Sequence, residues 1–327
     1  MLRVQVCILK EFFPEADETV IANCAKELFK CESGSVGVDA ILADIKQVQV
    51  LNKLPLVPQR SSEWYDLRTK RLTASDLAQA MGKGKFGTRK ELLYKKAFPD
   101  KFPFKVMPAL KWGTMMEDVG MRCYKESEPS FIQLYEFGLI PHKDISCFGA
   151  SPDGITNTGV MVEMKCPYSR QCTNEVPEQY YLQIQGQLAT CGLNLCHYVE
   201  CYFDTFVDVE EYALACQGLG GKGHGVVLEC GNGEYIYSPE DLTSVECEAW
   251  VKKQKDYVKV VPWKLKHMFK TDVPFNLDVW ESCIPEIYKF WKEVEEQRKG
   301  GYLEPVVKKE LDMTSKYVFI EDSEEEL

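Results

Sequence analysis

The chain has 327 residues, of which 45% are hydrophobic, and its formal net charge is −11. This is enough apolar sequence for one large domain with an appendage. No run of about 18 apolar residues is present, so we expect no membrane-spanning helix and no membrane partner. The first apolar stretch is short and soon acidic, which is atypical of a signal peptide.

The fourteen cysteines form no C-x-x-C pair and the four histidines lack ligand spacing. Free thiols in a reducing, intracellular compartment (cytoplasm or nucleus) are therefore expected, and a structural zinc site is not.

Positive charge is concentrated in two segments of this acidic chain. Residues 60–111 contain thirteen Lys or Arg against five Asp or Glu, and residues 252–270 contain seven Lys against one Asp. Two basic segments on an acidic protein fit a polyanion held in one groove. Two solvated helix faces explain the same pattern equally well.

The predicted elements divide the chain into three parts. Residues 1–55 contain two stretches with apolar residues at helical spacing, which predict a small helical N-terminal element. Residues 56–310 form the main domain, after a proline-containing linker, and residues 311–327 form an acidic tail. We expect the N-terminal element to pack as an arm on the main domain. Its Phe-Pro start and Val-Asp-Ala-Ile run also resemble small three-helix ubiquitin-binding modules, which is the alternative.

The main domain begins with predicted helices and continues with short strands. The helical stretches lie between residues 61 and 127, interrupted by the glycine-rich MGKGKFGT, and the strand-like runs FIQLYEFGLIP, ISCFGAS and GVMVEMKCPY follow. PEQYYLQIQGQLATCG then predicts a helix that ends at Gly192, and LCHYVECYFD predicts another strand. EAWVKKQKDYVKVV and IPEIYKFWKEVEEQ are interpreted as amphipathic helices. This order predicts an α/β (α+β) domain around a central mixed sheet.

An Asp-Gly turn and a charged strand carry the chemical signal. Asp153 lies in SPDG, and ten residues later Glu163 and Lys165 lie two apart within an apolar run. On a strand their side chains point to the same face. Two carboxylates can bind a hard divalent cation, and a nearby Lys can hold an attacking water or stabilise charge on a phosphate. A turn followed by a strand with a surface ion pair is the non-functional alternative.

Four motifs in order resemble those of the phage lambda exonuclease and YqaJ-type viral recombinase family, which is alkaline-exonuclease-like and belongs to the PD-(D/E)xK nuclease superfamily. They are WYDLRTKRLTAS, WGTMMED, SPDG with VEMKCPY, and YYLQIQGQ, and they cover residues 61–205. The resemblance implies a restriction-endonuclease-like core, with a central mixed β-sheet flanked by helices.

The resemblance also implies roles for individual residues. Asp144 is the nearest candidate for an additional carboxylate that would hold a second metal ion, although it is offset by one residue from the family spacing. Arg68 and Ser75 are seven apart across a turn, and the fork of Arg donors with a helix start suits a phosphate. The matched positions are metal ligands at Asp153, Glu163, Glu117 and the carbonyl of Met164, catalytic residues at Lys165 and Gln183, and residues that bind the terminal phosphate at Arg68, Ser75 and Ser151.

The function implied by the resemblance is a Mg²⁺-dependent exonuclease, with Mn²⁺ as a substitute, that degrades one strand of duplex DNA from an end, 5′ to 3′, to mononucleotides. The implied setting is recombination or repair, in a viral protein within a host cell. DNA ends are the expected partner, a strand-annealing protein is a candidate partner, and a homotrimer is a candidate assembly. The alternative is a catalytically silent DNA-binding scaffold with the same fold, which the intact Asp, Glu and Lys set disfavours.

Overall fold

The computed structural model describes residues 2–12, 15–17, 20–21, 24, 38–102 and 107–301. Most of the first predicted helical stretch and the whole acidic tail lie outside the described residues. None of the described helices combines the length and apolarity that crossing a membrane requires. All thirteen cysteines of the described part are free thiols, as predicted.

A seven-stranded mixed sheet forms the centre of the protein, with strands in the order β2-β5-β6-β7-β10-β8-β9. A small second sheet has the order β1-β4-β3. The strands are β1 Leu72–Thr73, β2 Leu134–Tyr135, β3 Ile140–Pro141, β4 Phe148–Ala150, β5 Gly154–Thr156, β6 Val160–Lys165, β7 Leu195–Thr205, β8 His224–Cys230, β9 Tyr235–Tyr237 and β10 Tyr257–Pro274.

Helices flank the sheet, and the predicted α/β class is confirmed. They begin and end close to the predicted positions for most of the main domain. The helices are α1 Leu2–Phe12, α2 Val38–Leu51, α3 Ser62–Thr69, α4 Leu77–Ala80, α5 Arg89–Ala97, α6 Pro108–Ser127, α7 Glu178–Cys191, α8 Val209–Ala215, α9 Ser244–Val251 and α10 Leu277–Gly300, with 3-10 turns at Ala74–Asp76 and Pro99–Lys101.

Strand β6 lies inside the sheet and is covered on both faces. It pairs antiparallel with β5 and parallel with β7, so that Glu163 lies beside Tyr198 and Lys165 beside Glu200. Val162 and Met164 belong to the apolar cluster that contains residues of α6, whereas Met161 belongs to the cluster that contains residues of α7. The alternation of a strand therefore directs Glu163 and Lys165 to the α7 side.

Two glycines allow helices to approach the site closely. A Cβ on Gly120 of α6 would lie 2.7 Å from the sulfur of Met164 on β6, so only glycine lets this helix reach the strand. A Cβ on Gly186 of α7 would lie 3.3 Å from Cβ of Ala74, in the 3-10 turn that also carries Ser75. These contacts bring α6 and the 3-10 turn against the sheet and its covering helix.

Helix α2 packs on the main domain, as the arm hypothesis expects. Val48 and Leu51 join the apolar cluster of the sheet, and Gln47 donates to the carbonyl of Cys191 at 2.8 Å. The carboxylate of Asp44 is 1% exposed and accepts hydrogen bonds from Asn194 at 2.8 and 3.2 Å. Buried polar contacts of this kind fix the orientation of the helix on the sheet.

The helix predicted for EAWVKKQKDYVKVV is wrong. Helix α9 ends at Val251, and the strand β10 begins at Tyr257. That strand pairs with β7 on one side and with β8 on the other. The β-branched and aromatic residues of YVKVVPW suit a strand, and this segment pairs with β8, so tertiary pairing overrides the helical spacing of the lysines.

Candidate active site

A cleft of about 900 Å³ is lined by the matched site residues that were predicted to function through their side chains. Its wall contains parts of α3, the 3-10 turn, α6, β6 and α7. The predicted residues in that wall are Arg68, Ser75, Glu117, Ser151, Asp153, Glu163, Lys165 and Gln183. Residues that lie as far apart as 115 positions in the chain therefore face one space.

Glu163 is a fully buried carboxylate held by three donors. Gln183 donates to Oε1 at 2.5 Å, Gln187 donates to Oε2 at 2.7 Å, and the ammonium of Lys165 pairs with Oε1. A buried charge is costly unless it is paired and hydrogen-bonded. Gln183 and Gln187 lie one helical turn apart on α7, so the helix supplies both amides to one carboxylate.

Asp153 lies beside this group at the turn before β5. Its Oδ2 accepts the backbone N–H of Met164 at 2.8 Å, which ties the turn to the strand. Burial, and then the charges of Glu163 and Glu117, raise the pKa of Asp153 well above its usual range. The carboxylates of Asp153, Glu163 and Glu117 thus repel one another, which is the electrostatic setting that a divalent cation relieves.

Lys165 and Glu117 complete the charged group. Burial lowers the pKa of Lys165, but Glu163 and Asp153 outweigh burial and raise it above its usual value. The ammonium of Lys165 also lies 5.0 Å from the ring centroid of Tyr180. Burial raises the pKa of Glu117, although Arg60 pairs with its Oε1 at 2.8 Å and opposes the shift.

The donor chemistry of this group fits Mg²⁺, whose preferred ligands are carboxylate oxygens. In the part of the chain that the structure describes, no three His, Cys, Asp or Glu side chains converge as a preformed cage. The reason is visible in the contacts, because Glu163 faces the two amides and Lys165, while Glu117 faces Arg60. The side chain of Met164 packs in the apolar core, and the ligand role of its carbonyl stays a prediction.

The residues predicted to bind a phosphate also lie together. Arg68 donates to Oγ of Ser75 at 2.9 Å, and its guanidinium stacks 4.3 Å from the ring centroid of Trp64. Trp64 in turn donates its indole N–H to Oγ of Ser151 at 3.1 Å. These three contacts join α3, the 3-10 turn and the segment after β4 into one pocket.

A buried ion pair between Asp76 and Lys96 lies beside this pocket in the cleft wall. The carboxylate of Asp76 lies 2.8 Å from the ammonium of Lys96 and 2.8 Å from the hydroxyl of Thr73. Burial alone would raise the pKa of Asp76, but Lys96 and Arg68 outweigh burial and hold it well below its usual range. Burial lowers the pKa of Lys96. The positive charges of Arg68 and Lys95 act in the same direction, and together these effects outweigh the opposite effect of Asp76.

Sequence reasoning missed three residues of the site. Trp64 is only 8% exposed, as is usual for a tryptophan, yet its ring stacks on Arg68 and its N–H donates to Ser151. Gln187 lies four residues after Gln183, so both face the same side of a helix, and this spacing was the signal that could have identified it. Arg60 lines the cleft directly before α3, and its place at the start of the first basic segment was its only sequence signal.

Two expectations are corrected by the structure. Asp144, the candidate for a second metal ion, lies outside the cleft wall, and its exposed carboxylate is 3.9 Å from the ammonium of Lys143. The first basic segment supplies Arg60, Arg68, Lys95, Lys96 and Lys111 to the wall, but no residue of 252–270 lines it. The two basic segments therefore do not form one groove in the described part of the chain.

The fold and the site define an α/β protein with an Asp…Glu-x-Lys group on the turn before β5 and on the inner strand β6 of its central sheet. The comparisons with known proteins match the region that contains the four sequence motifs. Residues 63–194 match the model of the YqaJ-like viral recombinase domain. The predicted resemblance to this family is therefore confirmed over residues 63–194.

Viral proteins are among the relatives by sequence. Protein R354 of Acanthamoeba polyphaga mimivirus, described as uncharacterized, is 25% identical over an alignment that covers 75% of this chain and 54% of the relative. Protein D345L of African swine fever virus is 25% identical and covers 59% of this chain and 66% of the relative. The chain thus spans about half the length of the mimivirus relative.

Solved structures show more distant similarity. The alkaline exonuclease LHK-Exo of Laribacter hongkongensis, in its complex with dAMP, is 20% identical with a TM-score of 0.48, over 73% of this chain and 95% of that chain. The protein in a SOX–DNA complex is 10% identical with a TM-score of 0.28, over 70% of this chain and 66% of that chain. Neither similarity supports a conclusion about this chain.

Proposed function

We propose that the protein is a Mg²⁺-dependent DNA exonuclease that degrades one strand of a duplex from its 5′ end and releases mononucleotides. The observation that carries the proposal is the cleft itself. It places the group of Asp153, Glu163 and Lys165 in the same space as the pocket of Arg68 and Ser75. One group suits hydrolysis of a phosphodiester, and the other suits capture of a terminal phosphate.

The metal-side residues have distinct tasks in this proposal. Asp153, Glu163 and Glu117 would hold Mg²⁺, with Mn²⁺ as a substitute, and the carbonyl of Met164 would be a further ligand. The bound ion supplies activation of a water molecule and stabilises charge on the phosphate. Gln183 and Gln187 fix the orientation of the Glu163 carboxylate, and Lys165 places a positive charge beside the scissile phosphate.

The pocket residues would set the position of the strand end. Arg68, Ser75 and Ser151 offer a guanidinium and two hydroxyls to a 5′-phosphate, and Trp64 keeps both sides of that pocket in place. A strand held by its terminal phosphate presents a fixed phosphodiester to the carboxylates. Release of one nucleotide at a time then follows from the fixed spacing between the pocket and the carboxylate group.

Digestion of a labelled duplex tests this function. One duplex carries a label at the 5′ end and another at the 3′ end, and each is incubated with Mg²⁺, with Mn²⁺ or with EDTA. We expect early loss of the 5′ label as a mononucleotide with either metal, no loss with EDTA, and a loss that is about 10²–10³-fold slower with the Lys165→Ala variant. A protein that binds the duplex but degrades nothing with Mg²⁺ or Mn²⁺ would instead be a silent scaffold.

The setting and assembly are proposals that rest on the family resemblance. We propose a role in recombination or repair of viral DNA, inside the host cell, with a strand-annealing protein as partner. We propose a homotrimer as the assembly, which light scattering coupled to size-exclusion chromatography measures. A monomeric mass at micromolar concentration would contradict that assembly without affecting the proposed chemistry.

A further inference from the structure

Arg60 occupies a backbone position that its own side chain does not favour. It lies in a turn in which the N–H of Ser61 donates to the carbonyl of Pro58 at 3.3 Å, and its φ is +67°. Left-handed backbone of this kind is the ordinary place of glycine or asparagine in a turn. A strained residue in a cleft is a reason to ask what its side chain does there.

The turn is fixed to the loop that carries Asp153. The side-chain amide of Gln59 donates to the carbonyl of Phe137 at 2.8 Å and to the carbonyl of Pro152 at 2.9 Å. Pro152 stands between Ser151 and Asp153, so the turn and the site loop form one connected unit. Arg60 is therefore held at a set distance from the carboxylates.

The guanidinium of Arg60 pairs with Glu117 in the cleft. It lies 2.8 Å from Oε1 of Glu117, and the two side chains are 37% and 31% exposed. Asp118 and Asp153 are further negative neighbours of the guanidinium. A partly exposed pair of this kind contributes little to stability, so its partners can be exchanged at small cost.

We propose that Arg60 binds a phosphate of the DNA strand, and that Arg60 and a divalent cation compete for Glu117. The inference rests on the proposed nuclease function. A cation that takes Glu117 leaves the guanidinium free to form two parallel hydrogen bonds with a phosphate, a geometry that arginine provides and lysine does not. Cation binding thereby strengthens DNA binding through Arg60.

The coupling between cation and DNA binding tests the inference without relying on turnover. Affinity for a short 5′-phosphorylated duplex is measured with Mg²⁺ and with EDTA in the Lys165→Ala background, with and without Arg60→Ala. We expect the gain in DNA affinity caused by Mg²⁺ to fall about tenfold when Arg60 is replaced, the loss typical of one charge-assisted contact. An equal gain in both proteins would overturn the inference.

Cation affinity without DNA provides an independent readout. Removal of the competing guanidinium should tighten Mg²⁺ binding, measured by calorimetry, by about two- to fivefold, the worth of a partly exposed ion pair. Weaker or unchanged Mg²⁺ binding in Arg60→Ala would contradict the competition. Arg60→Lys keeps the charge but not the fork, so we expect it to recover only part of the DNA affinity.

Two further variants separate function from folding. Arg60→Gly suits the left-handed backbone, so it should fold at least as well as Arg60→Ala and show the same loss of coupling. Arg89 forms a comparable pair with Glu293, at 2.6 Å and with exposures of 29% and 33%, outside the cleft wall. Arg89→Ala should leave the coupling unchanged. If the parent protein degrades DNA while Arg60→Gly keeps full coupling, the inference fails and the proposed function stands.

Discussion

The two ends of the cleft are built in different ways. At the carboxylate end, Asp153, Glu163 and Lys165 come from one turn and one strand within thirteen consecutive residues. At the phosphate end, Arg68, Ser75 and Ser151 come from a helix, a 3-10 turn and a segment after another strand. The first end depends on the alternation of one strand, whereas the second depends on packing between three elements. We therefore expect a single substitution at the carboxylate end to remove most of the cleavage activity, and a single substitution at the phosphate end to reduce phosphate binding only in part.

Lys165→Ala should produce the largest effect on activity. Removal of one positioned charge beside a reacting group typically lowers the rate about 10²–10³-fold. DNA affinity should change little, because one lysine is a small part of the basic wall. The rate of digestion and the affinity by fluorescence anisotropy check both statements. Lys266→Ala is the control, since Lys266 pairs with Asp204 outside the cleft, and near-normal digestion by Lys165→Ala would exclude a catalytic role.

Asp153→Asn and Glu163→Gln should remove activity and weaken Mg²⁺ binding. Each change keeps the size of the side chain but replaces a charged oxygen with a neutral amide group. Calorimetric titration with Mg²⁺ measures the affinity directly. Glu178→Gln, at an exposed carboxylate that pairs with Lys83, is the matched control. Unchanged Mg²⁺ affinity in both variants would show that the two carboxylates are structural.

Asp76→Asn should lower the folding stability, because Asp76 belongs to the ion pair beside the phosphate end of the cleft. Loss of the carboxylate leaves the ammonium of Lys96 buried without its partner, which costs roughly 3–5 kcal/mol of folding stability at neutral pH. The folded-state pKa of Asp76 lies below its unfolded value of about 3.9, so its contribution is present above that pH and is lost as the pH falls. Urea unfolding at pH 7 and at lower pH should therefore show the gap between parent and variant closing in acid. A gap that is independent of pH would argue against the ion pair.

Arg68→Ala should reduce the preference for a 5′-phosphate. Loss of one charged hydrogen bond is worth about 1.5–3 kcal/mol, which predicts a decrease of about tenfold or more in the ratio of rates on 5′-phosphorylated and 5′-hydroxyl duplexes. Overall DNA affinity should fall less than this ratio, because Lys95 and Lys111 remain in the wall. A preserved ratio in the variant would place the phosphate elsewhere.

Trp64→Phe should give the smallest effect, and Trp112→Phe provides its control. The phenyl ring keeps the stacking surface for Arg68 but loses the N–H that Ser151 accepts, a neutral hydrogen bond worth about 0.5–1.5 kcal/mol. We expect the 5′-phosphate preference to fall about two- to tenfold. Among the described residues the buried indole N–H of Trp112 has no hydrogen-bond partner, so Trp112→Phe should leave the 5′-phosphate preference unchanged. Equal behaviour of the two variants would contradict the positioning role of Trp64.

The same contrast explains how much the sequence could predict. Glu163 and Lys165 lie two apart in an apolar run, so a strand places them on one face without further information. Gln183 and Gln187 are likewise readable from the period of a helix. The positioning role of Trp64 has no local signal, because it follows from a tertiary contact with Ser151, 87 residues away in the chain.

Long-range pairing accounts for what the sequence did not predict. The lysines of residues 252–270 suggested a second wall of the groove, but β10 places them on a strand between β7 and β8, away from the cleft. The basic segment did not single out Arg60, because its position depends on the bonds of Gln59 to two carbonyls that are 78 and 93 residues away in the chain. Contacts at such separations follow from packing and are not encoded in a local period.

The central claim is that one cleft holds the strand end and cleaves the phosphodiester beside it. The most direct test is the product of the first turnover on a 5′-phosphorylated duplex whose 5′-terminal nucleotide carries the label, under single-turnover conditions with Mg²⁺. The account predicts that the label appears first in a mononucleotide, and that a 5′-hydroxyl on the same duplex slows this step about tenfold or more. First appearance of the label in longer fragments, with equal rates on both ends, would contradict it.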